Sequence, residues 1–256
     1  MSWVLSTVNV NGIRASLKKG LLDWLKIASP DVICFQETKA FPGQLPPELL
    51  HPPGYEAAWN SALRPGYSGV STWSKTKPVA VRNGLGIKKF DEEGRMLETE
   101  FKDFTLLNIY FPNGKMNEER LKFKMEFYEE ALKYFKKLTK KGKRLVICGD
   151  YNTAHKPIDL SRPKENERVS GFLPMERAWM DKLEANGFAD TFRVFNQDPG
   201  HYTWWDLISR ARERNVGWRI DYFFISENLK PRLENAFILS EVMGSDHCPV
   251  GVTLNC

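Results

Sequence analysis

Six polar side chains recur at one kind of place in this sequence, the end of a short apolar run. Asn9 closes "WVLSTVN", Glu37 follows "VICFQ", Asp150 and Asn152 follow "LVICG", and Asp246 with His247 precede "VGVTL". Such runs, bounded by Gly, Pro or Asn, read as strands. In a layered fold, strand ends from distant parts of a chain meet along one rim. Brought together there, Glu37, Asp150 and Asp246 with the amides of Asn9 and Asn152, and with no cysteine beside them, make an oxygen-rich set. That chemistry suits Mg2+ or Mn2+ rather than zinc. Taken singly, each of the six also reads as an ordinary turn residue at a strand end.

Asp221 interrupts the apolar run "WRIDYFFIS", where an unpaired carboxylate is strongly unfavourable. It needs a partner, and two are available. Arg219, two positions earlier, would share its face of a strand. Alternatively Asp221 holds the imidazole of His247, fixing its tautomer and raising its pKa, as orienting carboxylates do in hydrolytic sites. In the second case His247 is held for proton transfer or for contact with a charged oxygen; in the first, "GSDH" is simply a turn.

The elements that must position these groups follow from pattern. "WVLSTVNV", "DVICFQ", "YSGVSTWS", "FTLLNIYF", "KRLVICGDY", "RIDYFFIS" and "VGVTL" are rich in β-branched and aromatic residues, as strands of stacked sheets are. "KKGLLDWLKIA", "NEERLKFKMEFYEEALKYFKKL" and "PMERAWMDKLEANG" carry apolar residues near the 3.6 spacing of helices, with Asn117 and Pro174 as starts and Gly187 as a stop. The class is mixed α and β, and the 256 residues, without a linker or repeat, are expected to form one domain, 1–256. A net charge of +5 admits a polyanionic partner without requiring one. The basic run Lys136 to Arg144 sits where cations complement a helix C-terminus and reads as a solvated end. Cys34, Cys148, Cys248 and Cys256 are scattered, with no CxxC pair, so neither a zinc site nor a disulfide framework is expected. No signal-like start or membrane-length apolar run occurs, and a cytoplasmic, monomeric, non-membrane protein is expected.

Eight segments carry a resemblance to the exonuclease III family of apurinic/apyrimidinic (AP) endonucleases, within the endonuclease/exonuclease/phosphatase superfamily. They are "NVNGIR" (9–14), "QETK" (36–39), "GYSGV" (66–70), "EGR" (93–95), "YFPNG" (110–114), "GDYNTAH" (149–155), "NVGWRIDY" (215–222) and "GSDHCP" (244–249). They stand in family order across nearly the whole chain. "NIYFPNGKM" and "SGFLPMERAWM" are most similar to an archaeal branch that includes a DNA uridine endonuclease.

The resemblance implies a four-layer αββα sandwich of the DNase I-like kind. It also implies Mg2+-dependent hydrolysis of the phosphodiester 5′ to an abasic site in double-stranded DNA, leaving a 3′-OH and a 5′-deoxyribose phosphate. Exonuclease or repair activity at 3′ ends, and incision 5′ to deoxyuridine, are further expectations. Glu37 would be the main metal ligand, with Asn11 and Asp246 at or near the metal. Asp150 would orient or deprotonate the attacking water, Asn9, Tyr110, Asn152 and His247 would hold the phosphate, and Asp221 would support His247. Trp204 and Trp218 would wall a pocket for a flipped-out, base-free sugar, although each also reads as core filling. Lys115 and Met116 would probe the DNA stack, and Arg14, Lys39, Tyr67 and Arg95 would contact backbone phosphates. Asn113 and Asn215, inside two of the matching segments, complete the expected substrate-binding set.

Two positions depart from the family pattern. Asn11 stands where some members have Asp, lowering the local negative charge, and Val8 replaces a Trp before Asn9, a packing change. The rival readings are a phosphatase or non-specific nuclease of the same superfamily, and a DNA-binding module without catalysis. The module would give the oxygen-rich rim no purpose.

Overall fold

The structure is a computed structural model and describes residues 2–256. Its strands are β1 (Ser2–Asn9), β2 (Val32–Gln36), β3 (Glu56–Asn60), β4 (Val70–Ser74), β5 (Ala80–Asn83), β6 (Met96–Glu100), β7 (Thr105–Tyr110), β8 (Leu145–Asp150), β9 (Phe188–Asp190), β10 (Trp204–Trp205), β11 (Gly217–Trp218), β12 (Asp221–Ser226), β13 (Leu233–Ile238) and β14 (Val250–Asn255). They form one six-stranded sheet in the order β13-β14-β1-β2-β4-β3, a second in the order β5-β6-β7-β8-β12-β9, and the two-stranded ribbon β10-β11. Each large sheet is mixed: β1 and β2 are parallel, as are β7 and β8, and the other pairings are antiparallel.

The sheets stack face to face because both present apolar residues inward. Trp3, Leu5 and Val32 of the first sheet share a buried cluster with Leu106, Val146 and Phe223 of the second. The outer face of the second sheet packs on the helices Glu118–Lys140 and Pro174–Ala185 through Phe127, Phe135, Trp179 and Leu183. The outer face of the first meets the helix Leu21–Ala28 through Leu21 and Leu25. This is the expected αββα layering. Asn117 caps the long helix, its side chain accepting from the Arg120 N–H at 2.9 Å, and Pro174 opens the second, as the start signals require. All seven expected strands form. β3, β5, β6, β9, β10, β11 and β13 add to them: β9, β10 and β11 span two or three residues, β5 has three of four exposed, and β3, β6 and β13 mix in charged or amide residues that weaken their apolar signal.

Register sets the site. Tyr110 is paired with Asp150, and Asp150 with Asp221, so β7, β8 and β12 deliver three polar groups to one rim of the second sheet. The same pairing of Asn9 with Gln36 ends β1 and β2 together in the first sheet. Gly149 permits the close approach of β8 to β7: a Cβ there would lie 1.9 Å from the Ile109 carbonyl oxygen. Just past the strand ends, Asn11, Glu37, Lys39 and Asn152 hold left-handed φ values of 45°, 51°, 52° and 51°. Each such non-glycine residue costs roughly 1–3 kcal/mol, and strain of this kind gathers at sites the surrounding structure over-determines.

Candidate active site

Asn9 is fully buried where the two sheets meet, and its Nδ2 donates to Glu37 Oε1 and to Asp150 Oδ2, both at 2.9 Å. Tyr110 donates its hydroxyl to the same Glu37 oxygen at 2.7 Å. Asp150 also accepts from the Asn152 backbone N–H at 2.7 Å and from Asn152 Nδ2 at 3.2 Å. Asn113 in turn donates to Asn152 Oδ1 at 2.9 Å. Residues spread over more than a hundred positions therefore form one hydrogen-bonded set.

His247 closes it. Its Nδ1 lies 2.8 Å from Asp221 Oδ2 and its Nε2 is 3.9 Å from Asp150 Oδ2. Thr203 also donates to Asp221 Oδ2, at 2.6 Å. Arg219 is not the partner of Asp221: its guanidinium reaches Asp159 at 2.8 Å and Asp190 at 2.6 Å, and it precedes β12 rather than sharing its face. Of the two partners open to Asp221 from sequence, the imidazole is the one taken.

Electrostatics follow from this packing. Burial alone would lower the His247 pKa, but the Asp221 carboxylate, with Asp150 and Asp246, raises it to about 10. The imidazole is thus a cation through the neutral range. Burial, and then the negative charge of Asp221, pushes Asp150 up to about 7. For Glu37, burial acts upward and is outweighed by Lys39 and by the bonds from Asn9 and Tyr110, leaving it below the usual carboxylate range. Asp246 is also lowered: burial opposes, and His247, Asn11 and Trp204 prevail.

Asn11 Nδ2 donates to Asp246 Oδ1 at 3.1 Å, and Trp204 Nε1 donates to Asp246 Oδ2 at 3.0 Å. Lys39 Nζ lies 2.8 Å from Glu37 Oε2 and 2.5 Å from Asn11 Oδ1. The chain's own ammonium thus bridges two of the oxygens expected to ligate a metal, which shows that the pair can embrace a cation. Asp150, Asp221 and His247 also bring ligand-type atoms within 4.8 Å of one another, and the site as a whole is consistent with a divalent metal. Because His247 Nδ1 is committed to Asp221, the less buried oxygens of Glu37, Asn11 and Asp246 fit a hard cation best.

These groups open onto a cleft of about 200 Å3 whose wall includes Lys115, Gly171, Trp204 and Trp218. The two tryptophans are cross-strand partners on β10 and β11, edge to face with ring centroids 6.4 Å apart. Both are half-buried, so they wall the cleft rather than fill the core.

Several residues of the expected substrate-binding set are placed otherwise. Arg95 is buried, only 2% exposed; its guanidinium bonds Glu93, the Tyr110 carbonyl at 3.0 Å and the Tyr67 hydroxyl at 2.8 Å, so it braces Tyr110 from behind. The Tyr67 hydroxyl also accepts from Arg120 at 3.1 Å. Asn215 is outside the cleft, accepting from Trp205 Nε1 at 3.1 Å and donating to the Gly200 carbonyl at 2.9 Å, where it shapes the turn before β11. Lys39 is held by Glu37 and Asn11. Arg14 is exposed and lines a neighbouring groove with Lys18 and Lys39, and Met116 is exposed beside Lys115.

Two residues that shape the site carried no functional signal in the sequence reading. Lys124 and Glu176 are both 0% exposed and paired at 2.6 Å. Lys124 Nζ also donates to the Asn152 carbonyl at 2.8 Å, while Glu176 Oε2 accepts from the N–H of Gly171 at 2.6 Å. What marks them in the sequence is a charge on an apolar stripe, which points to a buried pair and not to a function: 124, 127, 128 and 131 in one helix and 176, 179, 180 and 183 in the other are buried together.

The sequence profile of the endonuclease/exonuclease/phosphatase family matches residues 6–247. The chain belongs to that family. Within it, the relatives are of the exonuclease III and AP endonuclease group. It is 43% identical over 96% of its length to an exodeoxyribonuclease of Bacillus subtilis, covering 97% of that protein. It is 40% identical over 98% of its length to the DNA repair nuclease APEX1 of Danio rerio, covering 81% of it. Among solved structures, an AP endonuclease from Archaeoglobus fulgidus superposes with a TM-score of 0.90 at 29% identity, covering 99% of this chain and 100% of that one. This family member is an enzyme of the exodeoxyribonuclease and AP endonuclease kind, and no helix among the described residues is long and apolar enough to cross a membrane.

Proposed function

We propose that this nuclease hydrolyses the phosphodiester 5′ to an abasic site in double-stranded DNA, leaving a 3′-OH and a 5′-deoxyribose phosphate. The observation that carries this reading is the adjacency of two features in one cleft. The hydrogen-bonded cluster of Asn9, Tyr110, Asp150, Asn152 and His247 reaches, through its last three members, the same cleft that Trp204 and Trp218 wall. A nucleotide without a base is the one most readily turned out of the stack, and a cleft of about 200 Å3 shared by the polar groups and the two tryptophans leaves little room for a base.

In this reading the His247 imidazolium donates to a non-bridging oxygen, the Asn152 amide, held by the Phe111 carbonyl at 3.0 Å, exchanges its longer 3.2 Å bond to Asp150 for another, and Asp150 takes the proton of the attacking water. Asn9 holds Asp150 and Glu37 at fixed separation, and Asp221 keeps His247 charged and oriented. Glu37, with Asn11 and Asp246 beside it, would hold Mg2+, or Mn2+ in its place, and the bound ion supplies charge compensation for the leaving oxygen. Arg14, exposed beside the cleft, contributes phosphate contacts that weaken with salt. Two finer activities belong to the same reading: removal of blocks or nucleotides at 3′ ends, and incision 5′ to deoxyuridine, the latter supported by the similarity of "NIYFPNGKM" and "SGFLPMERAWM" to an archaeal branch.

One set of labelled duplexes tests it: a tetrahydrofuran abasic analogue, a deoxyuridine and an undamaged control, each with Mg2+ or EDTA. The expected result is Mg2+-dependent cutting 5′ to the abasic analogue, with slower 5′ cutting at deoxyuridine. Cutting that ignores the lesion would make the chain a general nuclease. An intact deoxyuridine strand beside a cleaved abasic strand would remove only the uridine activity.

A further inference from the structure

Among the described residues, Lys115 is the one lysine lining the active-site cleft. Its Nζ rests 5.1 Å from the ring centroid of Trp204 and 5.4 Å from that of Trp218. Among the described residues, no hydrogen bond or salt bridge engages that ammonium, whereas Lys39 is bonded to Glu37 and Asn11, and Lys124 is buried against Glu176. The backbone holds Lys115 in place, its N–H donating to Asn113 Oδ1 at 2.8 Å. The residue is exposed, yet its amine end is directed over the two aromatic walls of the sugar pocket.

Resting on the proposed abasic substrate, we infer that Lys115 captures the natural lesion covalently, its amine forming an imine with the C1′ aldehyde of the ring-opened sugar. A natural abasic sugar interconverts between a closed hemiacetal and an open aldehyde. The neutral amine adds to C1′, the resulting carbinolamine expels the former carbonyl oxygen as water, and a nitrogen–carbon double bond remains. No oxidant or reductant is consumed, and hydrolysis reverses the step. Cation–π contact with the two indoles positions the side chain before the sugar enters. The protein packed around the amine end also draws its pKa below the ordinary lysine range, which enlarges the neutral, nucleophilic fraction. Capture would hold the lesion in the pocket independently of any metal.

The test uses the full chain in EDTA with a duplex bearing a natural aldehydic abasic site, and cyanoborohydride to reduce any imine to a stable secondary amine. The expected result is a denaturation-resistant protein–DNA adduct mapped by mass spectrometry to Lys115, lost in Lys115→Arg and Lys115→Met. A tetrahydrofuran duplex, which has no aldehyde, gives none. Gel shifts on the tetrahydrofuran duplex establish that each variant is saturated with DNA when trapping is scored. An adduct mapped to another lysine, one undiminished in Lys115→Arg, or none at saturating wild-type protein overturns the inference. Mg2+-dependent incision of the tetrahydrofuran duplex separates the two readings: incision without an adduct sinks only the covalent capture, and absence of both sinks the abasic substrate as well.

Discussion

Asp221 Oδ2 lies 2.8 Å from His247 Nδ1, and both side chains are at least nine-tenths buried. The carboxylate thus has a partner that can carry a full positive charge, and it holds that charge up to about pH 10. If His247 acts as an imidazolium, the rate falls as pH rises through that value. Asp221→Asn removes the charge that supports it, so the alkaline limb of the kcat/KM profile should move down by ~1–3 pH units. Stability has the same sign. His247 has a raised pKa, so its contribution is fully present below its unfolded value of 6.5 and is lost as pH rises through about 10. Urea midpoints measured across that window should fall in the wild type and change less in Asp221→Asn. An alkaline limb that stayed in place would detach His247 from the reaction.

Asp150 ends β8 of the second sheet and His247 precedes β14 of the first, and the two meet in the cleft. Asp150→Asn and His247→Ala should each lower kcat on an abasic duplex by roughly 10²-fold to 10³-fold, the usual cost of removing a preorganised group. Thermal unfolding monitored beside the assay distinguishes lost chemistry from lost fold. Near-wild-type turnover in either variant would contradict the roles given to them.

The layers were legible in the sequence because central strands such as β2 and β7 bury every residue and read as largely apolar runs, "VICFQ" and "TLLNIY". Asp221 was legible for the same reason, as a charge where burial forbids one. Edge strands such as β5, with three of its four residues exposed, have no such pattern to read. Arg95 misled because a segment can match while its side chain turns inward: Glu93 and the Tyr110 carbonyl draw the guanidinium beneath the site. Asn215 likewise belongs to a matching segment but serves the turn. Spacing says which residues travel together, and only the backbone direction says which of them reach the cleft.

Lys39 bridges Glu37 and Asn11, so a metal entering beside these oxygens meets a resident positive charge. Lys39→Ala should therefore tighten metal binding, lowering the Mg2+ concentration for half-maximal rate by ~10-fold, while the missing charge raises the Glu37 pKa. Mn2+ binding followed by electron paramagnetic resonance in the absence of DNA gives a readout independent of turnover. Weaker Mn2+ binding in the variant would mean that Lys39 organises the oxygens rather than competing for them.

Lys124 and Glu176 form a buried ion pair behind the cleft. Both are fully buried, and removing one leaves the other charged and without its counter-ion, at ~3–5 kcal/mol. Lys124→Met and Glu176→Leu should each lower the melting temperature sharply, while the two combined should be less destabilised than their sum. Stability is only part of the effect. Lys124 holds the Asn152 carbonyl and Glu176 holds the Gly171 N–H, so the pair fixes the loop behind the phosphate site and the loop against Trp218. The double variant, assayed well below its melting temperature, should remain slow because those two loops have lost their anchors. Full recovery of kcat with recovered stability would show that the pair serves the fold alone.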